Sequence, residues 1–91
     1  MKNLTEQLTT LFEQTGKAHH EAFAAVNGAD DEWPIWYAEY LMDKLPPLLG
    51  ATITKSEMIY LMVHLSKKQA LEAPQEKWPR YYALYFVERY A

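Results

Sequence analysis

The 91-residue sequence predicts an all-α fold, a small bundle-like domain of four helices spanning residues 1–91, and three observations predict it. Apolar residues recur every three or four positions over long stretches, the period of a helix with one buried face. Capping and stop signals divide these stretches into four segments joined by short links. No stretch alternates apolar and polar residues with the period of two that marks a half-buried strand.

The first segment covers roughly residues 3–26. At about 100° per residue, Leu4, Leu8, Leu11, Phe12, Thr15, Ala18, His19, Ala22, Phe23 and Val26 share an arc of about 140°. Glu6, Glu13, Gln14, Lys17 and Glu21 lie opposite. Asn3 or Thr5 caps its start, and Asn27-Gly28 stops it, because both residues tolerate the left-handed conformation that ends helices. Asp30 or Asp31 then caps a second helix, with Pro34 in the first turn, where a missing N–H costs nothing. This helix is expected to run to about Lys44, since Pro46 and Pro47 block continuation, leaving residues 46–51 as a tight apolar connection. Thr54 and Glu57 read as a capping box opening a third helix that runs to Ala70 or Glu72. A polar link leads to the last helix, which begins at Trp78.

The second and last helices carry nearly the same thirteen residues, Trp33–Leu45 and Trp78–Tyr90, offset by 78 − 33 = 45 positions. In each copy the aromatic and aliphatic residues fall at i, i+3, i+4, i+7 and i+8, one helix face. Two origins stay open: a duplicated helical hairpin whose aromatic helices pack around a pseudo-two-fold axis, or two helices that solved one packing problem alike. Either way the first role of these faces is core formation, with Trp33 and Trp78 expected at its centre.

The nine Trp and Tyr residues of the two copies exceed what so short a chain encloses. Trp and Tyr anchor protein interfaces through a large apolar body and a polar tip. Trp36, Tyr37, Tyr40, Tyr81, Tyr82 and Tyr85 are therefore the candidate binding residues, with His20 on the polar flank of the first helix. The third helix is apolar almost all round between Met58 and Leu65 and the second nearly so, which places both centrally. The surplus aromatic surface is then expected on the last helix, where Tyr81, Tyr82, Tyr85 and Tyr90 spread around the girth. A two-fold homodimer would cover it; a monomer screened by the long first helix is the competing outcome.

Composition narrows the classes further. A chain 49% hydrophobic and 14% aromatic is not a disordered one. The lack of cysteine excludes disulfides, a thiol nucleophile and thiolate metal sites, and fits a reducing compartment. The N-terminal stretch has no signal-peptide pattern, and the longest apolar run, Met58–Val63, is far short of the ~18 residues of a membrane span. The expected location is cytoplasmic, with no membrane partner. A net charge of −3 argues against nucleic acid. Residues 1–54 hold three Lys and eight acids (−5), and residues 55–91 hold six Lys or Arg and four Glu (+2). Pairing between helices is expected to absorb this split, with head-to-tail contact between copies as the alternative.

No catalytic constellation emerges. His19 and His20 are adjacent, so their side chains diverge by about 100° on a helix, and HExxH spacing is absent. His64 reads as a core histidine of the third helix. Glu39 and Asp43 stand at i, i+4 without the Glu-x-x-His partners of a bundle metal site. The acidic run Asp30–Glu32 reads as capping, no serine stands on a glycine-rich elbow, and no phosphate loop is present. No catalytic residue, metal ligand or cofactor is predicted. The stretches 16–23, 30–41, 54–65 and 77–90 resemble a group of small bacterial proteins, cyanobacterial ones among them, that share the doubled Trp-Pro-x-aromatic-Tyr-Ala motif and are described as uncharacterised. That resemblance implies a self-contained helical domain and no activity. The expected function is a non-enzymatic protein-interaction module that binds a protein partner or itself through exposed aromatic faces. The alternatives are a small aromatic ligand held between the second and last helices, with His19 or His64 directed into that pocket, and a metal-binding helical enzyme.

Overall fold

Helix α1 runs Leu4–Ala22, α2 Trp33–Leu41, α3 Leu45–Leu49, α4 Lys55–Glu72 and α5 Trp78–Tyr90 in the computed structural model, which describes residues 2–91. The fold is all-α, and among the described residues there is no strand. No helix among them is long and apolar enough to cross a membrane.

The caps follow local chemistry. Asn3 Oδ1 accepts from the Glu6 N–H at 2.8 Å and Thr54 Oγ1 from the Glu57 N–H at 3.1 Å, each satisfying a donor that has no partner inside its helix. The reciprocal half of the expected capping box is replaced, since Glu57 turns toward Arg89 of α5 at 3.9 Å. Helix α1 stops at Ala22 and a single 3₁₀ turn, Ala24–Val26, follows it. Asn27-Gly28 therefore ends that turn rather than α1, with φ of 58° and 82°. The Gly28 N–H bonds back to Phe23 O at 2.8 Å, the helix-ending pattern that a left-handed residue permits.

Helix α2 ends at Leu41, not Lys44, and the expected connection is itself a short helix, α3. Pro46 and Pro47 end one helix and begin the next for one reason. A proline cannot supply an N–H to a preceding turn, yet in a first turn none is required. Gly50, at φ 62°, closes α3 through bonds from the Gly50 and Ala51 N–H groups to Pro47 O and Pro46 O.

The helices pair non-locally. Helix α1 packs chiefly along α5 and α2 chiefly along α4, while α1–α2 and α4–α5 touch less. The pattern is the same when α1 is exchanged with α4 and α2 with α5, as two related hairpins packed about a pseudo-two-fold axis require. Ala38 and Ala83, and likewise Leu41 and Phe86, are equivalent at the 45-residue offset and fully buried. Phe12 of α1 is the hub, with ring centroids 6.2, 5.6 and 5.7 Å from Trp78, Tyr82 and Phe86 on successive turns of α5. Leu8, Leu45, Met58, Leu61, Met62 and Leu65 complete the core. Trp33 and Trp78 are half-buried rather than central, because each opens its helix and stands at the rim where the chain enters the bundle.

The tyrosines of α5 divide. Tyr82 is 4% exposed and belongs to the core, so it is removed from the candidate binding residues. It points at Phe12, the interior equivalent of the half-buried Tyr37. Tyr90 also turns inward, its ring stacking on Phe86 at 5.7 Å and its hydroxyl buried. Burial pushes the Tyr82 phenol up to about 12 from 10.0, a hydrogen bond to Ser66 opposing this only in part. Desolvation also raises Tyr37. A phenol whose folded pKa is raised favours the fold below its unfolded value and loses that contribution as pH rises through the folded one. Stability should therefore decline between pH 10.0 and about 12. In a tyrosinate absorbance titration, Tyr82→Phe should remove a late-titrating chromophore; loss of an early one instead would contradict its burial.

Helix α4 is central on one face only. Met58, Leu61, Met62 and Leu65 are buried, whereas Tyr60 and Leu71 on the opposite face are the most exposed large hydrophobic residues among those described, at 63% and 85%. The unburied apolar surface thus lies more on α4 than on the tyrosines of α5, contrary to the sequence expectation.

Candidate functional site

The first chemically distinctive cluster forms where α1, the α1–α2 loop and α2 converge. His19, in the last turn of α1, places Nε2 3.0 Å from Asp30 Oδ2, with side chains only 10% and 12% exposed. The other carboxylate oxygen, Oδ1, accepts the Glu32 N–H at 3.0 Å, and Asp30 O accepts from Trp33 at 3.3 Å. Asp30 therefore starts α2, as its position in the sequence suggested, although Glu32 occupies the cap position itself. The same residue also holds α1, which the sequence did not suggest. A carboxylate this buried requires such partners, since an unpaired one costs several kcal/mol.

Three rings enclose the imidazole: Phe23 at 4.9 Å, Trp36 at 5.1 Å and Tyr37 at 5.2 Å. Their faces suit an imidazole whether neutral or cationic. His20, the histidine selected from the sequence, is exposed beside Gly28 and takes no part in this pair. The arrangement lacks the further carboxylate or imidazole a metal needs: among the described residues no three His, Cys, Asp or Glu side chains converge.

Two surface hollows flank this pair. On one side Gly16 lets α1 approach α5 so closely that a Cβ there would lie 2.9 Å from Trp78 Cζ2. An open groove of about 460 Å³ lies over Tyr37 and Trp78, whose ring centroids are 5.9 Å apart, and is edged by Glu13, Lys17, His19 and His20. It stands where the sequence placed a pocket between the second and last helices, but it is a groove rather than an enclosed cavity. On the other side a shallow hollow of about 220 Å³ is lined by Phe23, Asp30, Glu32, Ile35, Trp36 and Glu39. Trp36 and Tyr40 rise beside it as a stacked, half-exposed pair, centroids 5.5 Å apart and planes within 13°. Lys44 Nζ lies 4.1 Å over the Tyr40 ring, fixing its outer end.

The remaining candidates, Tyr81 and Tyr85, stand half-exposed on the α4–α5 side. Tyr85 faces His64 at 6.2 Å, and the Tyr81 hydroxyl donates to Glu72 Oε2 at 3.3 Å. The Lys68 ammonium, 2.6 Å from that oxygen, holds the Glu72 carboxyl below the usual carboxylate range. His64 stacks flat on Tyr60, 5.6 Å away and within 9°.

The charge split between the halves is not absorbed by pairing. Among the described residues only Lys55–Glu39, 2.9 Å, joins an acid of the first half to a base of the second, and the other ion pairs stay within a half. Elsewhere Glu13 of α1 lines one hollow with Lys77 and Arg80 at the start of α5, an approach without a direct ion pair. Helix α4 meets α2 at Lys55 on one side, while on the other Glu57 and His64 meet Arg89 and Tyr85 of α5. Compared with known proteins, the chain matches no family model, no curated protein and no solved structure.

Proposed function

We propose that the protein is a non-enzymatic, cytoplasmic interaction module that seats a protein partner on the outer face of α2. The Trp36–Tyr40 stack carries this reading. Two large rings are held rigid and half-exposed beside an open hollow, with exposed Ile35 between carboxylates. Pre-stacked aromatic side chains lose little rotamer freedom on binding, which makes them strong interface anchors. Glu32 at the edge of the hollow and exposed Asp31 just before it favour a partner surface with positive charge, while Glu39 is already paired with Lys55. Tyr37 supports Trp36 from within, and Tyr81 and Tyr85 belong to the opposite face.

The groove over Tyr37 and Trp78 favours a second reading, a small planar ligand, since both rings line it beside a mixed polar edge of Glu13, Lys17 and His20. A photo-cross-linking amino acid at Ile35, compared with one at Gln14 on the polar face of α1, separates the two in the producing cell. A discrete protein adduct from position 35 and none from position 14 is the expected outcome. No adduct from position 35 would remove the interaction reading and leave the groove.

A further inference from the structure

The 45-residue offset of the two Trp-Pro copies extends beyond them: 64 − 19 is also 45, so His64 of α4 corresponds to His19 of α1. Each histidine lies against the aromatic helix of its own half, His19 against Trp36 at 5.1 Å and His64 against Tyr85 at 6.2 Å. Their surroundings differ. Around His19 the chain supplies a carboxylate from Asp30 and a ring from Phe23. The positions 45 residues on are Gln75 and Lys68, and His64 has no hydrogen-bond partner among the described residues. A hollow of about 350 Å³ opens there instead, lined by His64, Lys67, Lys68, Leu71 and Glu72. Glu72 is already engaged by Lys68 and Tyr81. This face therefore has an imidazole, exposed apolar groups at Tyr60 and Leu71, and one exposed cation without an ion-pair partner among the described residues, Lys67. Its carboxylate, Glu72, is already paired with Lys68.

The outer face of α2 is its complement. Asp31 and Glu32 are exposed at its start, ahead of Ile35 and Trp36, and neither is ion-paired among the described residues. Glu39 and Asp43, by contrast, are held by Lys55 and Lys44. Because α2 and α5 flank α4 on opposite sides, the two faces of one chain cannot meet.

We propose that the partner is a second copy of this chain, bound head to tail. The acidic, aromatic face of α2 seats on the His64–Lys67–Leu71 face of its neighbour and supplies the carboxylate that Asp30 supplies to His19. This rests on the reading of the α2 face as a docking surface. Such a contact joins two different faces, so it propagates into a ring or an open chain rather than closing as a two-fold dimer. Exposed charge pairs contribute little singly, which leaves Ile35, Tyr60 and Leu71 as the main contacts, while the charges select which faces meet and only that part is screened by salt.

The test uses two variants altered only at exposed positions, neutral so that the broken faces cannot attract one another. One carries Asp31→Asn, Glu32→Gln and Ile35→Ser; the other carries Lys67→Ser and Leu71→Ser. Circular dichroism verifies that both fold. In sedimentation equilibrium the wild type should gain mass with concentration, and each variant alone should remain at 10.7 kDa. Their equimolar mixture should form a complex of 10.7 + 10.7, about 21 kDa, since each retains the face the other lacks. A wild type that stays monomeric on tenfold concentration, variants that still self-associate, or a mixture that stays monomeric would each overturn the proposal. A monomeric wild type with a foreign adduct at position 35 would reject the second copy and keep the docking surface.

Discussion

Phe12→Ala should be among the most destabilising single substitutions in this protein, costing about 3–5 kcal/mol in chemical denaturation, the range for truncating a buried phenylalanine. Its ring is fully buried and packs against Trp78, Tyr82 and Phe86 at once. The main contact of α1 with α5 therefore passes through this side chain. A small domain has total stability near the low end of about 5–15 kcal/mol, so the variant should be largely unfolded at room temperature. Phe12→Leu retains most of the volume and should cost clearly less, about 1–2 kcal/mol. Equal losses for both would mean that the edge-on ring geometry, rather than burial, holds the contact. A loss under about 1 kcal/mol for the alanine variant would show that α1 does not dock on α5 as described.

The second large effect is expected at His19–Asp30. Asp30→Ala removes the acceptor of the His19 ring and that of the Glu32 N–H together. It should cost about 2–4 kcal/mol, because it strands a buried imidazole and removes the acceptor that fixes the turn into α2. His19→Ala should lose a similar amount, part of it from the empty space between Phe23, Trp36 and Tyr37. The double variant should cost less than the sum, with a coupling of about 1–3 kcal/mol, as for groups in direct contact. His19→Phe keeps the ring and loses the hydrogen bond, which separates packing from pairing. Strict additivity would mean that the 3.0 Å contact contributes nothing.

Much of the fold could be read from residues alone. Leu8, Leu11, Phe12, Thr15 and His19 share one face of α1 by spacing, and all are buried. Asn3 and Thr54 cap the helices they were expected to cap. Pro46 and Pro47 were read only as terminators, so the helix they begin was missed. Their missing N–H groups bear on both events, and sequence spacing shows only the first. Tyr82 was read as a binding residue because the two copies hold more Trp and Tyr than so short a chain encloses, and counting does not say which of them the core takes. No property of the repeat reveals that Phe12 lies opposite one copy and His19 opposite the other.

The candidate site was less legible for the same reason. His19 was placed on the apolar arc of the first helix, where it is buried, while Asp30 or Asp31 was expected to cap the second, whose cap position Glu32 takes. The pairing of His19 with Asp30 depends on the reversal through Asn27 and Gly28, whose left-handed backbone returns the chain to α1. His20 drew attention as the one of the adjacent pair on the polar flank of α1, and that position on the helix keeps it at the surface. The chain by itself determined its helices, its caps and the repetition of its aromatic faces, because these depend on residues within a few positions of one another. Tertiary structure decided that α1 pairs with α5 and α2 with α4, that Asp30 meets His19, and that Lys55 reaches Glu39. Those outcomes depend on which buried surfaces fit across long loops, and local spacing carries no record of that fit.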